Sequence, residues 1–302
     1  MFKSKNSMSR ALVRRETTAG YLFLLPSLFF FVTFVLYPMF LCLYTSFFDS
    51  NMGKNAVDVF VGLGNYKELF RDKLFLGALK NTVIIVLVAV PTVCAFSLWV
   101  ATAIYDMKPA LTSAFRCIFY LPVVTGSVAV TVVWKWMYNS RYGVFNYLFK
   151  SLGIIDQNIN WLGDARFALW CIILILFTTS VGQPIVLYVS ALGNVDHSLV
   201  EAAQVDGANR RQVFWKIKWA QIMPTTLYIL IITTINSFQC FALIQLLTSG
   251  GPTHSTDTIM YYIYYTAFKL YRYGYGNAMG VVLMIIIAVL SAVQFKLGQQ
   301  SD

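Results

Sequence analysis

Side-chain chemistry needs a nucleophile, a proton carrier or a metal ligand, and few residues here could act together. The two histidines, His197 and His254, are far apart in the chain. The five cysteines, Cys42, Cys94, Cys117, Cys171 and Cys240, all fall in apolar runs and read as small buried hydrophobes. With no Cys-x-x-Cys pair and no clustered histidine, a metal centre has nothing to be built from. No G-x-x-x-x-G-K-[ST] segment cradles nucleotide phosphates. What remains is non-covalent chemistry. Thr178, Gly182 and Gln183, and later Asn236, Ser237, Gln239 and Cys240, place uncharged polar groups inside apolar stretches. An amide offers both donor and acceptor to a polar solute, or glues helices together. The second candidate is a polar segment, Val195 to Pro224, carrying Glu201.

The elements holding these residues follow from charge spacing. The 302 residues are 58% hydrophobic and 16% aromatic but only 12% charged, about half the charge of a soluble domain. Charges are absent between Glu16 and Asp49, Lys80 and Asp106, Arg116 and Lys135, Arg166 and Asp196, Lys218 and Asp257, and Arg272 and Lys296. Each gap accommodates the roughly 20 residues of a membrane-spanning helix. The expected fold is all-α and integral to the membrane, with spans at 20–47, 81–105, 116–138, 167–192, 223–248 and 275–296. One membrane domain, 20–297, follows a segment 1–19, and the loop 195–224 lies within it.

The Tyr-rich run Thr258 to Phe268 is too short to span and suits the headgroup region, which predicts an interfacial helix. Trp134, Lys135, Trp136 and Tyr138 read as an anchor at the outer boundary. In Asn65 to Phe70, both Leu69 and Phe70 are expected to face inward. Pro26 and Pro91 predict simple kinks, whereas Pro184 follows Gly182 and Gln183 in mid-span.

No small-residue cleavage site follows the first apolar stretch, so it is expected to stay as an anchor, with the mature chain starting near Met1. Lys3, Lys5, Arg10, Arg14 and Arg15 put the N-terminus in the cytosol, and an even number of spans returns the C-terminus there. The net charge of +10 suits anionic membrane lipid; with no soluble basic face, nucleic acid is not an expected partner.

The segment Val195 to Pro224 reads as two short helices. Ser198 and Glu201 have the spacing of a capping box, and Gly207 breaks the chain. Val213, Phe214 and Ile217 then recur on one helical face, with Arg210, Arg211, Lys216 and Lys218 on the remainder. Such a helix, with Trp215 and Trp219, suits the inner leaflet and a partner's groove equally well.

The spacing of Glu201, Ala202, Ala203, Asp206, Gly207, Ala208, Phe214, Ile217 and Pro224 resembles the EAA loop of ATP-binding-cassette (ABC) import permeases, close to EAAxxDGAxxxxxFxxIxLPxxxP. The match departs at Trp219 and Ala220, which replace Leu and Pro, and at Asp196, where a proline is common. Phe60 to Phe70, Leu243 to Thr256 and Gly276 to Lys296 are similar to segments of the carbohydrate importers, on the side of the maltose permease F subunit.

This resemblance implies a type I importer permease fold in which 195–224 is a cytosolic coupling helix seated on an ATPase. Glu201, Ala202, Ala203, Asp206, Gly207, Ala208, Phe214 and Ile217 would be its coupling residues. The implied partners are a second homologous permease, two cytosolic ATPase subunits that carry ATP and Mg, and an extracytoplasmic sugar-binding protein. This chain would hold no cofactor and catalyse nothing. The implied cargo is a sugar or oligosaccharide, and Thr178, Gly182, Gln183, Asn236, Ser237, Gln239 and Cys240 match positions that meet sugar in the family. Glycerol phosphate is an alternative cargo, disfavoured by the expectation that no Arg or Lys sits at mid-depth. A secondary transporter would need an ionisable group inside a span, and an intramembrane enzyme a catalytic dyad; the six charge-free stretches contain neither.

Overall fold

Residues 4–50 and 58–299 are described by the computed structural model, with side chains from Val13 onward to Gly298. Lys3 lies outside the described residues, and Lys5 and Arg10 contribute backbone only. Among the described residues five helices are long and apolar enough to cross a membrane, and a bent pair makes six if it counts as one crossing.

The first, α1 (Val13–Thr45), carries large exposed apolar side chains along its length, as a helix in lipid does. Past it, Phe48–Asp49 pairs antiparallel with Val59–Phe60, a two-residue ladder in an otherwise helical chain. The second, α2 (Lys73–Ile104), begins before the charge pattern suggests, so Lys80 lies inside the helix. Asp72 caps it, accepting from the Leu74 amide at 2.8 Å.

The third expected span is not one rod. α3 (Pro109–Val124) and α4 (Ser127–Met137) meet at 95° across Thr125 and Gly126. α5 (Ala168–Gly193) runs as one crossing with an irregularity at Val181. There Pro184 can give Ser180 no amide proton, and Ser97 of α2 donates to the Val181 carbonyl at 3.3 Å.

The polar segment contains α6 (His197–Val205). Its second helix is not separate: Arg210–Val213 passes through a π-helical turn, Phe214–Lys218, straight into α7 (Trp219–Phe238). With Ala220 in place of proline the chain stays helical through this junction, and Pro224, one turn on, withholds an amide proton only from the Ala220 carbonyl. The fifth crossing therefore starts well before residue 223. It is broken at Gln239 to Phe241, then resumes as α8 (Ala242–Leu247). Thr258 meets the buried backbone at that break, donating to the Cys240 carbonyl at 2.7 Å. Backbone freed at membrane depth needs such a partner. The last crossing is α9 (Tyr273–Gln299).

Several local expectations need correcting. The helical segment from Ile259 to Lys269 is not interfacial along its length; Ile259, Tyr261, Tyr262, Thr266 and Ala267 are buried in protein. Leu69 is fully buried, but Phe70 is exposed. Tyr138 is buried rather than anchored at a boundary, and its hydroxyl donates to the Cys171 carbonyl at 3.3 Å. Cys171 and Cys240 are buried and Cys42 and Cys94 half-buried, but Cys117 is exposed.

The main core packs α2, α5 and α7 through Val93, Ala101, Ile104, Ile185, Leu192 and Ile222. Tyr105, Val200 and Trp219 extend it to the end of the molecule that carries Glu201. A second core at the opposite end joins Leu69, Phe75, Tyr262, Tyr275 and Met279.

Candidate functional site: a polar cavity and an exposed helical loop

Three irregularities in otherwise apolar helices converge. The α3–α4 bend supplies Thr125 and Ser127, the α7–α8 break supplies Gln239 and Cys240, and α5 supplies Thr179; all line one cavity of about 330 Å³. Gln183 and Asn236 come together with Thr179, Ser180 and Thr233 around a neighbouring cavity of about 140 Å³. That is well below the roughly 300 Å³ at which ligand pockets begin. Gln183, Asn236 and Gln239 are exposed, so their amides point out of this chain.

The other path candidates divide. Thr178 lines a third cavity with Thr179, and its hydroxyl bonds back to the Ile175 carbonyl at 2.8 Å. Ser237 and Cys240 are buried, though Cys240 touches the larger cavity. Gly182 is a packing residue, because a Cβ there would collide with the Phe119 carbonyl oxygen of α3. Its smallness lets α3 and α5 approach closely, as small residues do in membranes.

Two residues on these cavities escaped the sequence reading. Thr179 lines all three, but a lone threonine in an apolar helix carries no signal. Arg116 was read as the charge bounding a span. It stands within α3, beside Cys117, Tyr120 and Gln183 on a groove of about 460 Å³. Its Nε is buried without a hydrogen-bond partner. Arg116 thus places a cation beside Gln183 that the charge spacing did not reveal.

At the Glu201 end, α6 is capped at both termini. Asp196, not Ser198, is the N-cap: its Oδ1 accepts from the Ser198 amide at 2.9 Å and the Ser198 hydroxyl at 2.7 Å. These two bonds hold the Asp196 carboxyl below its ordinary pKa. The expected Ser198–Glu201 capping box is absent, which leaves the Glu201 carboxylate free of the backbone. The residue where the family's proline is missing thus does the capping.

At the other terminus the Ala208 amide donates to the Ala203 carbonyl at 2.9 Å and the Gly207 amide to Gln204 at 3.0 Å, a Schellman closure. It needs the left-handed conformation that Gly207 adopts at φ +84°. A Cβ at Gly207 would meet nothing within 4 Å, so backbone conformation and not crowding demands glycine. Asn209 and Gln212 then form the true capping box, at 2.8 and 2.9 Å. The spacing N-x-x-Q was legible as such a box.

Between these caps, Glu201, Ala202, Asp206 and Gly207 are exposed, and Val205 is 89% exposed. Ala203, Ala208, Phe214 and Ile217 are half-buried, and Val213 is buried. The apolar face of the second helix turns into the chain; the acidic first helix turns out. Among the described residues Glu201 and Asp206 make no side-chain hydrogen bond or ion pair. A short helix held rigidly at both ends, with its centre bare, is suited to dock on something else.

Residues 59–299 match the family described as binding-protein-dependent transport system inner membrane component. The chain belongs to this family. It is a multi-pass inner-membrane permease subunit of the ABC import class. The permease is similar to the probable ABC transporter permease protein YesP of Bacillus subtilis, 33% identical over 94% of this chain and 91% of that protein. It is also similar to the lactose transport system permease protein LacF of Rhizobium radiobacter, 33% identical over 94% of this chain and 95% of that protein. In fold it resembles a chain in the crystal structure of a bacterial ABC transporter involved in the import of the acidic polysaccharide alginate. That likeness has a TM-score of 0.79 and 23% identity, and covers 97% of the permease and 99% of that chain. The all-α membrane fold expected from charge spacing is thereby borne out.

Proposed function

We propose that the permease forms one half of a translocation path for a sugar or oligosaccharide and is driven by an ATPase docked on α6. The observation that carries this reading is the bare, doubly capped helix around Glu201. Its fold is complete without a partner, yet its carboxylates and Val205 are spent on nothing inside the chain. Glu201, Ala202, Ala203, Asp206, Gly207 and Ala208 are the docking surface, with Phe214 and Ile217 anchoring it from behind.

On this reading the Glu201 end and both termini face the cytosol, and the Asp72 end faces outward. Gln183, Asn236 and Gln239 face a second permease that closes the cavity. Thr178, Ser237 and Cys240 support that wall, and Gly182 sets its spacing. An external binding protein delivers the sugar, and ATP with Mg is bound by the ATPase pair. Hydrogen-bonding amides without fixed charge suit sugar hydroxyls. Relatives at 32–33% identity are named for lactose and for multiple sugars, which supports the class of cargo.

The test is affinity purification of the tagged permease from its own membranes. An ATPase, a second permease of similar length and a sugar-binding protein should accompany it, and reconstituted uptake should require all of them. Sugar uptake by this chain alone in liposomes would refute the reading.

One observation favours a second cargo class. Arg116, with its unpartnered Nε beside Gln183, suits an anionic solute, and a relative 29% identical is named for sn-glycerol-3-phosphate. If the cargo is anionic, Arg116→Gln will abolish its uptake while leaving ATPase capture intact. If it is a neutral sugar, uptake will persist.

A further inference from the structure

The Glu201 loop is joined to the body of the permease in two ways. One is the uninterrupted run from Arg210 into α7. The other is a side-chain contact between Lys218, in the π-helical turn, and Tyr105, at the end of α2. The Lys218 Nζ donates to the Tyr105 hydroxyl and lies 4.5 Å from the ring centroid. Among the described residues Lys218 has no carboxylate partner, so the ring and its hydroxyl are what hold it.

Tyr105 opens a stiff turn. Buried Thr112 of α3 donates to the Ile104 carbonyl at 2.8 Å, locking the start of α3 to the end of α2. α3 then carries Phe119 against Gly182, and Val123 into the cavity of Gln183 and Asn236. A displacement of Tyr105 is therefore passed to α3 as a body, and α3 forms one side of the cavity while α7 forms another.

We propose that Lys218 and Tyr105 form a strut by which movement of the Glu201 loop reaches α3, making Lys218 a positioning residue for transport. The proposal rests on the reading that an ATPase docks on α6. Through α7 alone the loop moves one wall; through the strut it moves the opposing wall as well. Opening a cavity requires the two walls to move relative to each other.

Cys117, the exposed cysteine of α3, reports this without knowledge of the cargo. In a variant with Cys42, Cys94, Cys171 and Cys240 replaced by alanine, the purified complex is labelled at Cys117 with a maleimide. Labelling is compared without nucleotide and with ATP, Mg²⁺ and vanadate. The nucleotide should change the rate in the parent. Lys218→Met should reduce that response by at least about threefold with the ATPase still bound, and Lys218→Arg should restore it. Tyr105→Phe, which keeps the ring and loses the hydroxyl, should respond between the two. An undiminished response in Lys218→Met, or equal loss in Lys218→Arg, overturns the strut. So does a parent in which nucleotide leaves Cys117 unchanged. If no ATPase accompanies the parent, the docking reading itself fails, and the strut with it.

Discussion

The two ends of the permease treat their polar side chains in opposite ways. At the Asp72 end, Asp72, Glu68 and Arg272 are bonded inside the chain, although the buried Oδ1 of Asp257 has no hydrogen-bond partner. Asp72 accepts from the hydroxyls of Tyr262 at 2.7 Å and Tyr275 at 2.9 Å. Arg272 grips Glu68 with two bonds of 2.7 and 2.8 Å, its guanidinium 4.5 Å from the Tyr275 ring centroid. Asn81 ties α2 to the carbonyls of Ser255 and Asp257, both at 3.0 Å. At the Glu201 end, bonds of Asp196, Gly207, Ala208 and Asn209 shape three helix termini, the Asp196 amide also donates to Gln221 Oε1 of α7 at 3.0 Å, and the carboxylates of Glu201 and Asp206 are left over. One end closes on itself. The other leaves two carboxylates exposed and unbonded among the described residues. On the proposed reading the unspent carboxylates belong to an interface, and the bonded groups of the Asp72 end form a clamp.

The largest break in this comparison should come from Gly207→Val. A β-branched residue cannot hold φ +84° without strain, so the Schellman closure opens and α6 loses its orientation. Uptake should fall more than about tenfold, which corresponds to only about 1.4 kcal/mol of lost coupling, while membrane insertion is unchanged. Unaltered uptake would remove the coupling role of this loop.

Asp72→Ala should have the opposite signature: a less stable permease whose ATPase capture is intact. Removing a charged acceptor strands two tyrosine hydroxyls, at a cost of about 2 kcal/mol, read as a lowered unfolding midpoint in detergent. The same clamp should respond to acid. Burial acts against the Asp72 charge, but bonds from Tyr262, Tyr275 and the Leu74 and Phe75 amides outweigh it and keep the pKa below the ordinary carboxylate value. A folded-state pKa below the unfolded one means that its stabilisation is present at neutral pH and is lost as pH falls through the folded value. Proteolysis of the 249–258 loop should therefore rise below about pH 4 in the wild type, and Asp72→Asn should remove this contribution to the pH dependence.

The smallest effects sharpen the contrast. Glu68→Gln weakens a partly exposed ion pair, worth about 1 kcal/mol or less, and its effect should vanish in high salt. Asp196→Ala uncaps an exposed helix start. It should leave the unfolding midpoint in place and lower affinity for the ATPase severalfold, measured by surface binding of the purified pair. A large stability loss from Asp196→Ala would mean that the Glu201 end is also a clamp.

Charge spacing made the membrane class and the number of apolar segments legible, because a desolvated ion is costly enough to exclude charges from nearly every span. Gly207 was legible as a break, since glycine is the residue that takes left-handed backbone without penalty. The turn signal Thr125-Gly126-Ser127 was present but outweighed by the apolar run around it, so a pair of helices meeting at 95° was read as one span. Where an isolated polar residue faces was not legible at all. Gln183 and Gly182 are neighbours in sequence, yet one lines a cavity and the other packs against Phe119.

Composition and charge spacing alone determined that this chain lives in lipid, and local spacing that Gly207 breaks the polar segment. Tertiary structure decided which polar groups meet. Arg116 joins Gln183, Lys218 joins Tyr105, and Asp72 joins Tyr262 and Tyr275 across long stretches of sequence. Local rules reach about one helical turn, whereas those pairings depend on how whole helices cross.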